Sequence, residues 1–168
     1  MGSIVSIIVA GALAALAGTA IVVALRPIRA ARRAEQLARI QRDFHRQREQ
    51  LEAKFIDRAA ASGKPRGLTW SNVFFDDDVI YVRDRRNRGL KALVAIEVSF
   101  EAVVGGGMED VEAVSNVRAA TAEFFFDATR SRWCTTGRVY FNLAPSAAVK
   151  YLSADLELVA EEHVATRP

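Results

Sequence analysis

The spacing of apolar residues along this 168-residue chain changes character three times, and each change predicts a different element. From Ile4 to Leu25, "IVSIIVAGALAALAGTAIVVAL", 22 residues pass without a charge. As a helix rising ~1.5 Å per residue this run reaches about 33 Å, enough to cross a hydrocarbon core of ~30 Å. Its eleven Ile, Leu and Val residues each favour insertion by roughly 0.3–0.6 kcal/mol, and nothing offsets them with the ~3 kcal/mol penalty of a charge. No Lys or Arg precedes the run, whereas Arg26, Arg29, Arg32 and Arg33 follow it at once. A cleaved signal carries its positive charge ahead of the apolar stretch, so the expectation is an uncleaved anchor, residues 1–25, with the arginines held in the cytoplasm. Small-residue rows such as Ala10, Ala14 and Gly18 suit close helix approach in lipid, although alanine is abundant throughout the run.

The second pattern runs from Arg26 to Ser62. Between Ile28 and Ala61 there is neither Gly nor Pro, and Ala, Arg, Glu, Gln and Leu dominate, which predicts a long helix with Pro27 in its first turn. Leu37, Ile40, Phe44, Leu51 and Phe55 form one apolar stripe on a charged cylinder. Two imperfect heptads are too few for a coiled coil, so the stripe is expected to pack on the protein's own sheet. The arginine-rich first turns have no stripe and are expected to lie against anionic lipid headgroups, at about 1 kcal/mol per basic residue.

From residue 63 the period becomes two. In "LVAIEVSFEAV" Val94, Ile96, Val98 and Phe100 alternate with Ala95, Glu97, Ser99 and Glu101, the signature of a strand with one buried face. Strands are also expected at Leu68 to Phe75, Asp78 to Asp84, Ala120 to Asp127 and Trp133 to Leu143, the first two separated by an acidic turn at Asp76-Asp77. The tail from Ser146 reads as a capped helix with Val149, Leu152, Leu156 and Val159 on one side. The fold class is therefore α+β: a single transmembrane helix continuing into a basic amphipathic helix, packed on an antiparallel meander of five strands in residues 63–168. The arrangement is similar to the cones of cystatin-like and nuclear-transport-factor-like domains, an analogy of architecture that no residue motif carries.

Charge sharpens this division. Residues 26–66 hold 12 Lys and Arg against 5 Asp and Glu, a net +7, and residues 67–168 hold 11 against 15, a net −4. Basic character confined to one stalk points to a membrane surface, and nucleic acid is not among the expected partners. Cys134 stands alone, which excludes an intrachain disulfide and a multi-cysteine zinc site. His45 and Glu49 share a helix face, the spacing of a solvated pair, while Asp43 points elsewhere. "VVGGGMED" lacks the Lys-Ser/Thr of a phosphate loop, and Glu109 and Asp110 would repel a phosphate. Glu109, Asp110 and Glu112 lack the alternation of a calcium loop, so Gly105 to Gly107 read as a strand-ending turn.

No catalytic residue, metal or cofactor is assigned. Phe125 in "EFFFD" faces away from its neighbours and marks an apolar surface for the tail or a partner to cover. Trp70, Trp133, Tyr140 and His45 are the residues expected to line a pocket in a cupped sheet. The expected function is a non-enzymatic accessory or interaction protein of a bacterial inner membrane, partnered by the lipid bilayer and by a protein or a second copy. The alternative is a small-molecule-binding or enzymatic domain using the cup.

Orientation is testable directly. A fluorescent protein fused behind Pro168 should glow in bacteria and an alkaline phosphatase fused there should stay inactive; the opposite pair of results overturns the assigned orientation. Moving the four arginines ahead of Ile4 should reverse both readings.

Overall fold

The computed structural model describes residues 2–62, 67–111 and 116–163, with side chains described from residue 24 onward. Helix α1 spans Gly2–Ser62, and strands β1 (Leu68–Asp84), β2 (Leu90–Ala102), β3 (Arg118–Asp127) and β4 (Arg132–Phe141) follow. A short helix α2 (Pro145–Tyr151) then leads to β5 (Leu156–Glu162). This is an α+β fold with one long helix and a five-stranded antiparallel sheet ordered β4-β3-β2-β1-β5. Among the described residues no helix is long and apolar enough to cross a membrane. All but the last two residues of the expected anchor, Ile4 to Leu25, lie outside the residues whose side chains are described.

The chain divides into two compact units, residues 1–45 and 46–168. The first consists of the leading part of α1. There the helix runs through Pro27 without ending, although Pro27 was expected to begin it. A proline in this position forgoes one backbone hydrogen bond, and the strong helix formers on its C-terminal side continue the ladder.

In the second unit, residues 46–62 of α1 lie on one face of the sheet. Leu51, Phe55 and Ala59, each four residues apart, are all at most 2% exposed. Phe55 touches Phe75 of β1 and Phe124 of β3, at ring-centroid distances of 5.7 and 5.5 Å. The alternation read in β2 holds: Val94, Ile96, Val98 and Phe100 are buried and Glu97 is exposed.

Two expectations fail, both through pairing between distant segments. The acidic triplet Asp76-Asp77-Asp78 is not a turn; it lies inside the 17-residue β1, where the register with β2 jumps from Phe75↔Ile96 to Val79↔Val94. Extra residues on one strand form a bulge that bends it. The carbonyls freed at Asp76 and Asp77 accept hydrogen bonds from the Arg48 guanidinium, whose Nε is held by Glu52 at 2.7 Å. The tail is likewise not one helix. α2 begins at Pro145, one residue ahead of the expected Ser146 cap, and ends at Tyr151, while Leu156 and Val159 belong to β5. The edge of β1 offers "LELVAEE" a row of backbone partners that a solvated helix would lack, so tertiary pairing overrides the local apolar spacing. At the end of β5, His163 Nδ1 lies 2.8 Å from Asp78 Oδ2, which raises the imidazole pKa.

α2 covers part of the opposite face of the sheet, where Ala148 joins Ile80, Val82, Leu93 and Leu156 in a second core flanked by Tyr140, Leu143, Val149 and Leu152. Both faces are thus covered, one by α1 and the other in part by α2.

Gly137 sits at a further bulge, in β4, and fixes how closely α1 approaches. Its φ is +78°, and a Cβ there would fall 2.5 Å from the Ala59 amide nitrogen. Replacing Gly137 by Val therefore adds left-handed strain to a collision with helix backbone, and should lower unfolding stability by about 3 kcal/mol. Gly107, with φ +74° and open space around it, carries the strain alone, so Gly107→Ala should cost about 1 kcal/mol. Urea denaturation of the two variants checks the contrast; equal losses would mean the helix does not rest on Gly137.

Candidate functional site

Charged and phenolic groups converge on the sheet face opposite α1. The antiparallel register sets Leu93 against Glu123 and Lys91 against Phe125, so Lys91 of β2 and Glu123 of β3 lie diagonally on one face. Lys91 Nζ is 3.3 Å from Glu123 Oε2 and 3.3 Å from Asp84 Oδ2, at the end of β1. Tyr140 of β4 donates its hydroxyl to Glu123 Oε2 at 2.8 Å. Arg138, also on β4, bonds the same hydroxyl, and its pKa is raised mainly by that contact. A cavity of about 260 Å³ opens beside this network, walled by Phe125, Thr136 and Asn87.

The electrostatics follow from burial and pairing. Glu123 is only 6% exposed, a position in which a carboxylate needs a cation and hydrogen-bond donors to remain ionised. Asp84 is held below the usual carboxylate range, first by the Arg86 amide it accepts and then by Lys91. Burial, reinforced by the hydrogen bond to Glu123, pushes Tyr140 up to about 12. At neutral pH the phenol is therefore a donor with its proton in place. Two carboxylates meet two cations, so the network is neutral as a whole. It can orient a small polar group beside Phe125.

The residues expected to line a pocket are distributed over several places. Trp133 lies on the α1 side of the sheet, 3% exposed, against Tyr81 and Phe126. Tyr140 is on the opposite side, in the network and the second core. Trp70 stacks with Phe100 and Phe141 at 5.6 and 6.3 Å, its indole N–H buried without a hydrogen-bond partner. His45 is exposed on α1 in the first unit, in edge contact with Phe44. One shared pocket for Trp133 and Tyr140 is corrected by the alternation of β4 itself: residues seven apart on a regular strand face opposite ways, and the bulge at Gly137 does not bring these two back to one face. Phe125 is half-buried and forms the apolar wall of the cavity. Arg26, Arg29, Arg32 and Arg33 are exposed.

The glycine stretch resolves into a self-contained turn. Gly105 and Gly107 have φ of +78° and +74°, and Gly106 packs against Gly67 so closely that a Cβ on it would fall 2.6 Å from the Gly67 Cα. The Glu109 carboxylate folds back onto the amides of this loop, which hold its pKa low. The loop's own carboxylate occupies the place a bound anion would take. Glu112 lies outside the described residues. Among the described residues no group of three or more His, Cys, Asp or Glu side chains is arranged to hold a metal.

The network was not anticipated from sequence, though it left a signal. Lys91 in "LKALV" and Glu123 in "TAEFF" are single charges within apolar strand runs. Each looks like an ordinary surface position until the register places one beside the other. Compared with known protein families, curated proteins and solved structures, the chain matches none.

Removing the central cation should expose the balance of the network. Lys91→Met leaves Asp84 and Glu123 without their shared cation and should cost about 3 kcal/mol, whereas Tyr140→Phe removes one donor and should cost about 1–2 kcal/mol. Denaturation across pH separates the two. The Lys91→Met loss should shrink as acid protonates the carboxylates, while the Tyr140 contribution, whose folded pKa is raised, is complete below the phenol's ordinary range and fades as pH climbs through it.

Proposed function

We propose that this chain is a single-pass membrane protein whose α+β domain lies on the cytoplasmic side and binds a protein partner, as an accessory or interaction subunit that catalyses no reaction. The membrane part of this reading is supported by the uncharged run Ile4 to Leu25 and the arginines directly behind it. The observation that carries the binding part is the occupied helix-covered face. Leu51, Phe55 and Ala59 fill the place where a ligand would enter a cupped sheet, and all three are buried. The polar network on the other face is satisfied by its own members, with Tyr140 held protonated. Large apolar side chains are meanwhile left in solvent, including Phe74 at 68% and Leu158 at 49% exposure.

The reading is tested by extracting the full chain from its native membranes in mild detergents after chemical crosslinking. A defined crosslinked species with one partner, or with a second copy, that persists as a stoichiometric complex is the expected result. Recovery of a monomer in every detergent, with no crosslinked species, would count decisively against it.

A further inference from the structure

Between residues 46–58 of α1 and β4 runs an open groove of about 280 Å³. Its polar lining includes Gln47, Gln50, Lys54 and Arg58 from one helix stripe and Arg132 from the strand, and it contains no carboxylate. Lys54, Arg58 and Arg132 are exposed and have no ion-pair partner among the described residues. Elsewhere in the domain cations are commonly neutralised: Arg48 by Glu52, Arg86 by Asp155, Arg88 by Glu157, Lys91 by Asp84 and Glu123, and Arg130 by Asp127. Three unneutralised cations around one concavity, Lys54 and Arg58 from the basic residues 26–66 and Arg132 from the sheet, repel each other and create a local positive field. A second, independent feature lies alongside. Among the described strands β4 is the outermost of the sheet on this side, with β3 as its one neighbour, and an edge strand offers backbone groups to an added extended segment.

Building on the protein-binding function proposed above, we infer that this groove is the docking site for an acidic, extended segment of the partner, laid along the edge of β4 with its carboxylates on Lys54, Arg58 and Arg132. An extended chain presents every second side chain to the same side, so alternating acidic residues meet the cations of α1 while the residues between them turn away. The Gln47 and Gln50 amides lie farther along the same helix stripe and supply neutral donors and acceptors. The bulge at Gly137 ends the regular part of the edge, so pairing is confined to the Arg132–Thr135 side of it.

The test uses the full chain in detergent micelles and a fluorescently labelled peptide of alternating Glu and Val, read by anisotropy. Saturable binding that weakens with added salt is expected. Reversing Lys54, Arg58 and Arg132 to Glu should reduce affinity about tenfold, the equivalent of three surface pairs of ~0.5 kcal/mol each. Reversing the exposed Arg85, Arg118 and Lys150 to Glu changes net charge equally and should alter affinity less than about twofold, because these residues lie away from the groove. Equal losses in the two triple variants, or displacement of the peptide by inorganic tripolyphosphate at the same charge concentration, would overturn the inference by showing that only charge is read. A photo-crosslinking residue placed at Gln50, with a second at Phe74, separates this inference from the broader function in native membranes. Partner capture at Gln50 that the Lys54/Arg58/Arg132 reversal abolishes supports the groove. Capture at Phe74 alone overturns the groove and leaves the protein-binding function standing, and capture at neither position, with no crosslinked species of any kind, overturns both.

Discussion

The stripe Leu51, Phe55 and Ala59 against the sheet is the contact on which the described domain depends. Each large side chain in it is worth roughly 1.5–3 kcal/mol when fully buried, and Phe55 contacts aromatic residues of both β1 and β3. That position accounts for the burial of Phe124 as well as its own. A flat sheet would meet a helix along a narrow line. Here the bulges of β1 and β4 bend the strands, and curvature lets one helix reach residues of several strands at once.

Polar chemistry stabilises that curvature where apolar contact cannot. A bulge leaves carbonyls without ladder partners, a penalty that would grow with burial. Arg48 meets the carbonyls of Asp76 and Asp77 from the helix side and is itself fixed by Glu52. The same residue thus connects helix placement to strand bending, two features distant in sequence. At β4 the corresponding device is the absence of a side chain: Gly137 lets the backbone of Arg58 and Ala59 come within the space a Cβ would need.

The two sides of the sheet consequently differ in kind. The α1 side is filled by large apolar side chains. The α2 side combines a small apolar core with the network of Asp84, Lys91, Glu123, Arg138 and Tyr140. The Glu123 carboxylate is buried and meets Lys91 of β2 and Tyr140 of β4, while Lys91 also reaches Asp84 of β1, so the network forms only when β1, β2, β3 and β4 are in register. At the margin of this construction the edge strand β4 and the basic flank of α1 border a concavity that the fold does not itself occupy.

What the sequence determined by itself was whatever depends on local periodicity. The long helix, the alternating strand around Val94 to Phe100, the strand Ala120 to Asp127 and the turn at Gly105 to Gly107 are each encoded by neighbours a few residues apart. The α+β class and antiparallel pairing followed from their order. Tertiary structure alone decided that Asp76 to Asp78 bulge within one strand instead of ending it, because the guanidinium that satisfies the Asp76 and Asp77 carbonyls comes from Arg48, on another element. It decided that Leu156 to Glu162 form an edge strand, because their hydrogen-bond partners lie in β1. It also separated Trp133 from Tyr140 and assembled Lys91 with Glu123, since a strand's sequence shows that side chains alternate but only the register shows which residues of other strands they meet.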